Sequence, residues 1–409
     1  MPTIAQPRPI KILAVTDSDS YVKWAAATLE QLDERFAPAI LAVRSPIAPS
    51  PSQWSTALHA TRYAGQELEL LSMPALQHTL HASNPDIVLL AGTGPVMEVV
   101  AEIAVRLPRP PALISGIPGM ALPARRKGIE FRSRVHSMIV HSRHEQVEYG
   151  ALMDSMGVSQ NLVLSHLPFL PPRSEPCTDP ITSLVFTPQA LVPHSAAQRS
   201  RILLALHAAA INHPTVRVIV KVRALAGERQ THNERFPYDA LWEELCQADP
   251  TLDPGAVEFK TGPLVDYLVP GAAHVTVSST AALESMAAGL PTMILSDFGV
   301  NERLLNSVYA QSGCVGGLAD MTELNFGTPS AQWLTDNYFH DEPSQLPAHL
   351  MELAAATRSG QLPRYPILNR HKHRRRIARN WLRSTISPGM LQALAATLGG
   401  LKCALKKVL

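Results

Sequence analysis

A run of hydroxyl side chains with a carboxylate close behind lies between His274 and Asp297, in the string HVTVSSTAALESMAAGLPTMILSD. Ser278, Ser279 and Thr280 are consecutive small hydroxyl residues, and Glu284 follows one helical turn later. At the point where a strand hands over to a helix, such a run offers an anion three hydroxyls, unpaired backbone N–H groups and the positive end of the helix dipole. Phosphate is the natural guest. A carboxylate one turn on can accept the paired hydroxyls of a ribose. The same residues admit a plainer part, in which Ser-Ser-Thr caps a helix and Glu284 favours its first turn.

The flanking residues supply the required elements. HVTV is an apolar, β-branched run suited to a buried strand. Leu283, Met286, Ala287 and Leu290 recur at helical spacing, and Gly289 with Pro291 ends the helix before a second strand, TMIL. Ala281, Ala282, Ala287 and Ala288 let that helix lie close to a sheet. The whole reads as a strand-helix-strand unit of a parallel sheet.

Other groups fall at comparable positions. Lys221 and Arg223 stand at the carboxyl end of a strand over 216–222, the edge where ligands bind in open α/β sheets. The polar stretch that follows, 221–238, contains His232, which suits a phosphate or base contact and equally a solvated loop. Gly92-Thr93-Gly94 follows the strand 86–91 and makes a backbone-lined turn, without the third glycine of a dinucleotide fingerprint.

Along the chain, strands are expected at 10–17, 39–43, 68–71, 86–91, 112–115 and 137–141, with helices at 21–32, 96–107 and from about 142. The Pro- and Ser-rich stretch 45–55 reads as a loop. A second series begins at Ser183, with strands at 183–187, 216–222 and 258–261 and helices at 198–213, 263–268 and 301–312. The pattern predicts an α/β protein of two Rossmann-like domains facing across a cleft. We place the first domain at 1–166, a Pro-rich linker at 167–182, the second domain at 183–362, and helices crossing back, with a basic tail, at 363–409.

Small-x-x-x-Glu-x-x-x-x-Gly-x-Pro between two strands resembles the donor site of GT-B glycosyltransferases. The doubled serine is similar to the serine pair of bacterial sialyltransferases and related enzymes that use CMP-activated sugars. The chain as a whole resembles uncharacterised bacterial glycosyltransferases of this architecture. The resemblance implies an inverting transferase that moves a sugar, preferably a nonulosonic acid or Kdo, from a nucleotide to a glycan or lipid-linked acceptor. Ser278, Ser279, Thr280 and Glu284 would then bind donor, aided by Lys221, Arg223 and His232. It further implies a base at the end of the first strand, where Asp17 and Asp19 are the best match; either could instead cap the helix beginning near Tyr21. His-Pro, which that family carries after a strand in this domain, occurs in the second half only as His213-Pro214, at a helix end. Gly92, Thr93, Gly94 and Gly116 suit an acceptor-side surface. The basic cluster of Arg125, Arg126, Lys127, Arg132 and Arg134 suits an anionic acceptor or a solvated turn. No metal and no separate cofactor are expected. A CDP-glycerol-type phosphotransferase, a UDP-sugar 2-epimerase and a non-catalytic nucleotide- or glycan-binding module are the alternatives.

Composition sets outer limits. The chain has 409 residues, 46% of them hydrophobic and 17% charged, as expected of ordinary globular domains with their own cores. A net charge of +2 gives no global field for nucleic acid. The scattered cysteines Cys177, Cys246, Cys314 and Cys403 suit a reducing, cytoplasmic setting. Residues 1–9 lack the apolar core of a secretory signal. Between 390 and 409, Leu391, Leu394, Leu398, Leu401 and Leu405 recur at helical spacing beside Lys402, Lys406 and Lys407. Such a helix can lie on the inner, anionic face of a membrane or dock on the protein itself.

Overall fold

The computed structural model describes residues 8–45, 48, 51–223, 225, 226 and 234–385. They form two compact units. His232 and the 390–409 segment lie outside the described residues.

The first unit takes in the chain to His141, Glu145–Phe169 and the described residues from Pro343. In order it contains β1 (Ile10–Thr16), α1 (Asp19–Glu30), β2 (Phe36–Val43), α2 (Pro51–Leu58), β3 (Leu70–Leu71), α3 (Met73–Ser83) and β4 (Ile87–Ala91). Then come α4 (Gly94–Ala104), β5 (Ala112–Gly116), α5 (Arg126–Phe131), β6 (Ser137–Val140), α6 (Arg143–Ser155) and β7 (Asn161–Leu164). The strands form one parallel sheet in the order β3-β2-β1-β4-β5-β6-β7. Strand β1 pairs Ile12 with Ile87 and Thr16 with Ala91 of β4, and pairs β2 on its other side. The order therefore reverses between β1 and β4, which leaves room for a ligand beyond their carboxyl ends. All residues of β4 and β5 are buried, as both faces of a parallel sheet are when helices cover them. Val15, Leu90, Leu113 and Met138 pack with Met97, Val100 and Ala104 of α4 in one cluster. Each such side chain contributes about 1.5–3 kcal/mol by leaving water.

The second unit comprises Leu170–Glu342 with Ser142–His144. It contains β8 (Ser183–Phe186), α7 (Ala196–Asn212), β9 (Arg217–Lys221), α8 (Tyr238–Ala248), β10 (Glu258–Lys260), β11 (Ala272–Thr276), α9 (Ala281–Ala287) and β12 (Thr292–Leu295). After these come β13 (Val315–Gly316), α10 (Leu318–Thr322) and α11 (Ala331–Asp336). Its parallel sheet runs β10-β9-β8-β11-β12-β13, with the reversal between β8 and β11. Leu184, Val218, Val275 and Met293 meet Ile202, Leu203 and Leu206 of α7 in its core. Before β8, the backbone N–H groups of Ser174 and Cys177 donate to the carbonyls of Ala287 and Gly289 at the end of α9, each at 2.7 Å. Gly289 has φ +70°, and a Cβ there would lie 2.1 Å from the Glu175 carbonyl oxygen, so only glycine allows this approach.

The last two helices, α12 (Leu346–Ser359) and α13 (Arg370–Thr385), belong to the first unit. Thr357 Oγ1 donates to the Asp86 carbonyl at 2.9 Å, and Arg358 Nη2 meets the Asp86 carboxylate at 2.8 Å. Helix α13 rests on α4: His373 Nδ1 faces Glu98 Oε1 at 2.8 Å, Arg376 Nη2 donates to the same oxygen at 2.6 Å, and Asn380 Nδ2 donates to the Pro95 carbonyl at 3.2 Å.

Three local expectations are corrected. The loop expected over 45–55 gives way to α2 at Pro51, because proline is pre-set for a first helical turn and Trp54 and Leu58 find buried sites. Only a 3₁₀ turn, Leu264–Asp266, forms where a helix was expected at 263–268. The helix expected over 301–312 is two 3₁₀ turns, Glu302–Leu304 and Ser307–Tyr309, separated by Leu305 at φ +58°. Asn306 causes the break. Its fully buried side chain donates to the carbonyls of Val277 and Gly299 and accepts from the Asn301 N–H, which fixes the backbone in a non-helical path. Among the described residues no helix is long and apolar enough to cross a membrane.

Candidate functional site

In the first unit the carboxyl ends of β1, β4 and β5 carry a connected polar network. Asp17, immediately after β1, has no exposed surface. Its two carboxylate oxygens accept the Thr93 backbone N–H at 3.0 and 3.1 Å, and Oδ2 also accepts the Thr93 hydroxyl. Thr93 is the N-cap of α4 but makes no side-chain cap bond, since its hydroxyl is turned to Asp17. Gly92 makes this contact possible, because a Cβ there would lie 3.0 Å from Asp17 Oδ1 and 2.5 Å from Met97 Cε. Burial raises the Asp17 pKa, against the opposing pull of the Thr93 hydrogen bonds, Ser18 and the Arg132 charge.

Arg132 completes the network. Only 3% exposed, it donates from Nε to Ser115 Oγ at 2.8 Å, and from Nη2 to Tyr21 OH at 2.9 Å and the Gly92 carbonyl at 3.2 Å. One guanidinium thus ties α1, the β4 turn and β5 together. Beside it, Trp24 Nε1 donates to His141 Nε2 at 2.8 Å, and His141 Nδ1 in turn donates to the Ser165 carbonyl at 3.1 Å. Burial pushes the His141 pKa down to about 4, so the ring is neutral near pH 7 and can accept from the indole. Gly116 lies flat against this wall, where a Cβ would come 2.5 Å from Trp24 Cζ2. Gly94 is equally constrained, by Phe131 at 2.3 Å.

Asp17, Gly92 and Thr93 therefore meet, and Gly94 and Gly116 adjoin them. Asp17 itself is enclosed, with its carboxylate held by the Thr93 N–H and hydroxyl. Asp19, in the first turn of α1, is half-buried and accepts from Ser20 Oγ at 3.4 Å. The basic cluster splits by position. Arg125, Arg126 and Lys127 are exposed at the start of α5, whereas Arg132 is internal and Arg134 is bound to Glu102 Oε1 at 3.0 Å.

In the second unit, the turn after β11 gathers Ser278, Ser279, Thr280 and Glu284. Ser278 is 1% exposed and its hydroxyl donates to the Leu305 carbonyl at 2.8 Å. Ser279 Oγ accepts the Ala281 N–H at 3.1 Å, and the Ser279 carbonyl accepts Tyr309 OH at 2.9 Å. Thr280, half-buried, is the N-cap of α9 and makes no side-chain cap bond. Glu284 is half-buried in the first turn of α9. Three bonds from Leu305, Asn306 and Tyr309 thus clamp the strand end and set the turn's shape.

Lys221 ends β9, with Arg223 exposed two residues on. They share the carboxyl edge with the 278–280 turn, but β8 lies between their strands. Beyond β8, Arg199 of α7 is 2% exposed and donates to the carbonyls of Pro193 at 3.0 Å, Ala190 at 2.7 Å and Phe236 at 2.6 Å, and to the Glu234 carboxylate. Burial raises the Glu234 pKa, with Arg199 opposing. Arg199 was missed in the sequence, although it sits three residues before Ile202 on the apolar face of its helix. Within β11 itself, His274 is buried with Nε2 2.8 Å from Thr187 Oγ1, its pKa pushed down to about 3 by burial. Among the described residues, no three His, Cys, Asp or Glu side chains converge as metal ligands would.

Two parallel-sheet, Rossmann-like α/β units define the GT-B class of fold, and solved structures of that type are similar to this chain. The Staphylococcus aureus MnaA–UDP co-structure matches with a TM-score of 0.53 and 10% identity over 87% of this chain and 99% of that one. UDP-GlcNAc 2-epimerase from Neisseria meningitidis, bound to UDP-GlcNAc, matches with a TM-score of 0.51 and 11% identity over 86% of this chain and 99% of that one. No curated protein sequence matches. Residues 12–353 match the family described as "Putative glycosyltransferase (DUF6716)", and the chain belongs to that family.

Proposed function

We propose that this protein transfers a sugar from a nucleotide donor to a hydroxyl of a glycan or lipid-linked acceptor, with inversion and without a metal. The family match over residues 12–353, which takes in strands of both sheets, supports the glycosyl-transfer part of this reading. In the reaction a base takes the acceptor proton, the acceptor oxygen attacks the sugar's anomeric carbon, and the bond to the nucleotide phosphate breaks with its electron pair. Asp19 is the base, because Asp17 is enclosed. The Thr280 hydroxyl, Ser279 and the amides of their turn stabilise charge on the leaving phosphate. Glu284 accepts from the ribose, and Lys221 and Arg223 add positive potential at the same edge.

We favour a UDP-sugar over the CMP-sugar that the doubled serine suggested. The committed Ser278 hydroxyl supports that preference, as do UDP and UDP-GlcNAc in the two similar structures. Thermal-shift titration with UDP, CDP, CMP and GDP tests it: the bound nucleotide stabilises the fold by RT ln(1 + [L]/Kd), so UDP should raise the melting temperature most. A larger shift with CMP would restore the first expectation, and no shift with any nucleotide would remove the transferase reading. The similar epimerase gives weight to a second reading, conversion of a UDP-sugar with no acceptor present. Product analysis of UDP-sugars incubated alone separates the two.

A further inference from the structure

A cavity of about 210 Å³ opens beside α13, lined by Arg134, Pro366, Ile367, Arg370, His373 and Arg374. No carboxylate lines it. The acids that touch its lining residues are themselves paired: Glu98 with His373 and Arg376, and Glu102 with Arg106, Arg134 and His373. Both ring nitrogens of His373 are held by these glutamates, at 2.8 and 3.1 Å, so it lines the cavity with its ring and fixes α13 in place. Arg134 is anchored from Nε to Glu102 and from Nη1 to the Tyr365 carbonyl, and its Nη2 makes no hydrogen bond among the described residues.

The remaining two cations are available. Arg370 and Arg374 are four residues apart, hence on one face of α13, and both are exposed. Neither has a hydrogen bond or ion pair among the described residues. Seven Lys and Arg lie between residues 365 and 385, where Asp and Glu do not occur, so no local acid competes for them. Three guanidinium groups around one recess, with an apolar wall from Pro366 and Ile367, match the size and charge of a phosphoryl group, which arginine grips through forked N–H pairs.

We propose that this recess is a binding site for a phosphoryl group, either free or on a lipid headgroup. It is separate from the Asp17–Thr93 network. Arg134 precedes the amino end of β6, whereas Gly92 and Thr93 follow the carboxyl end of β4, and in a parallel sheet these are opposite edges.

The full chain should be titrated calorimetrically with inorganic pyrophosphate, and co-sedimented with phosphatidylglycerol–phosphatidylcholine vesicles and with phosphatidylcholine vesicles. The double variant Arg370→Ala/Arg374→Ala should keep the wild-type melting temperature, since neither side chain has a partner, and should bind about tenfold or more weakly. Arg379→Ala, an exposed cation of the same helix outside the recess, should bind like wild type. Loss of pyrophosphate binding in the double variant assigns the site to free phosphoryl ligands; loss confined to the anionic vesicles assigns it to headgroups. Equal weakening by Arg379→Ala would show only a diffuse field along the helix, and binding of neither probe, or binding unchanged in the double variant, would overturn the proposal.

Discussion

The Asp17 carboxylate receives both the backbone N–H and the hydroxyl of Thr93, across the point where β1 and β4 diverge. Replacing it with asparagine removes one acceptor oxygen from a fully buried position. Asp17→Asn should cost about 1–3 kcal/mol, measured by denaturant unfolding near neutral pH.

The same group sets a pH dependence of known sign. Its folded pKa is raised above the ordinary value, so the folded state holds the proton more tightly than the unfolded chain does. Its contribution to stability is therefore full below the ordinary carboxyl range and is lost as pH rises through the raised value. The stability gap between wild type and Asp17→Asn should narrow as pH rises across that window. A gap that widens would contradict the burial argument.

Ser278 and Thr280 should separate cleanly. Ser278→Ala removes the bond to the Leu305 carbonyl and should cost about 1 kcal/mol of stability, with a smaller loss of nucleotide affinity than Thr280→Ala. Thr280→Ala touches no cap bond, so its stability should hold while nucleotide affinity falls several-fold, read by calorimetry.

Asn306→Ala strips three hydrogen bonds from a residue with no exposed surface. Stability should fall by about 3 kcal/mol, and nucleotide binding should weaken as well, because Asn306 shapes the turn that carries Ser279 and Thr280.

Asp19→Asn should lower turnover about 10²–10⁴-fold with donor affinity unchanged, once a donor and acceptor are in hand. Equal turnover in the variant would place the base elsewhere. Added chelator should leave the wild-type rate unaltered.

Arg199→Met leaves Glu234 and several carbonyls without their buried cation and should destabilise by about 3–5 kcal/mol. Lysine should not rescue, since one ammonium cannot reach the Glu234 carboxylate and three carbonyls spread around a planar fork. Thermal unfolding of both variants reads the difference.

Most strands were legible because each is a short β-branched apolar run between turn residues, a signal contained within its own few positions. The Ser278–Glu284 string and the Gly92–Thr93 turn were legible for the same reason. What escaped was set by distant partners. Arg132 read as one member of a solvated basic run, yet Ser115, Tyr21 and Gly92 hold it inside. Asn306 read as an ordinary helical position until Val277 and Gly299 claimed its amide.

The amino-acid order by itself settled the alternation of strand and helix, the two parallel sheets and the edge at which polar groups collect, because local periodicity and turn chemistry suffice for these. Tertiary structure alone decided how deeply each of those groups is enclosed and which partners hold it. Asp17 and Ser278 have the composition of site residues, and packing buries both against Thr93 and the Leu305 carbonyl, while Asp19 and Thr280 beside them stay half-buried. Solvent exposure is a property of the packed chain, and no window of sequence contains it.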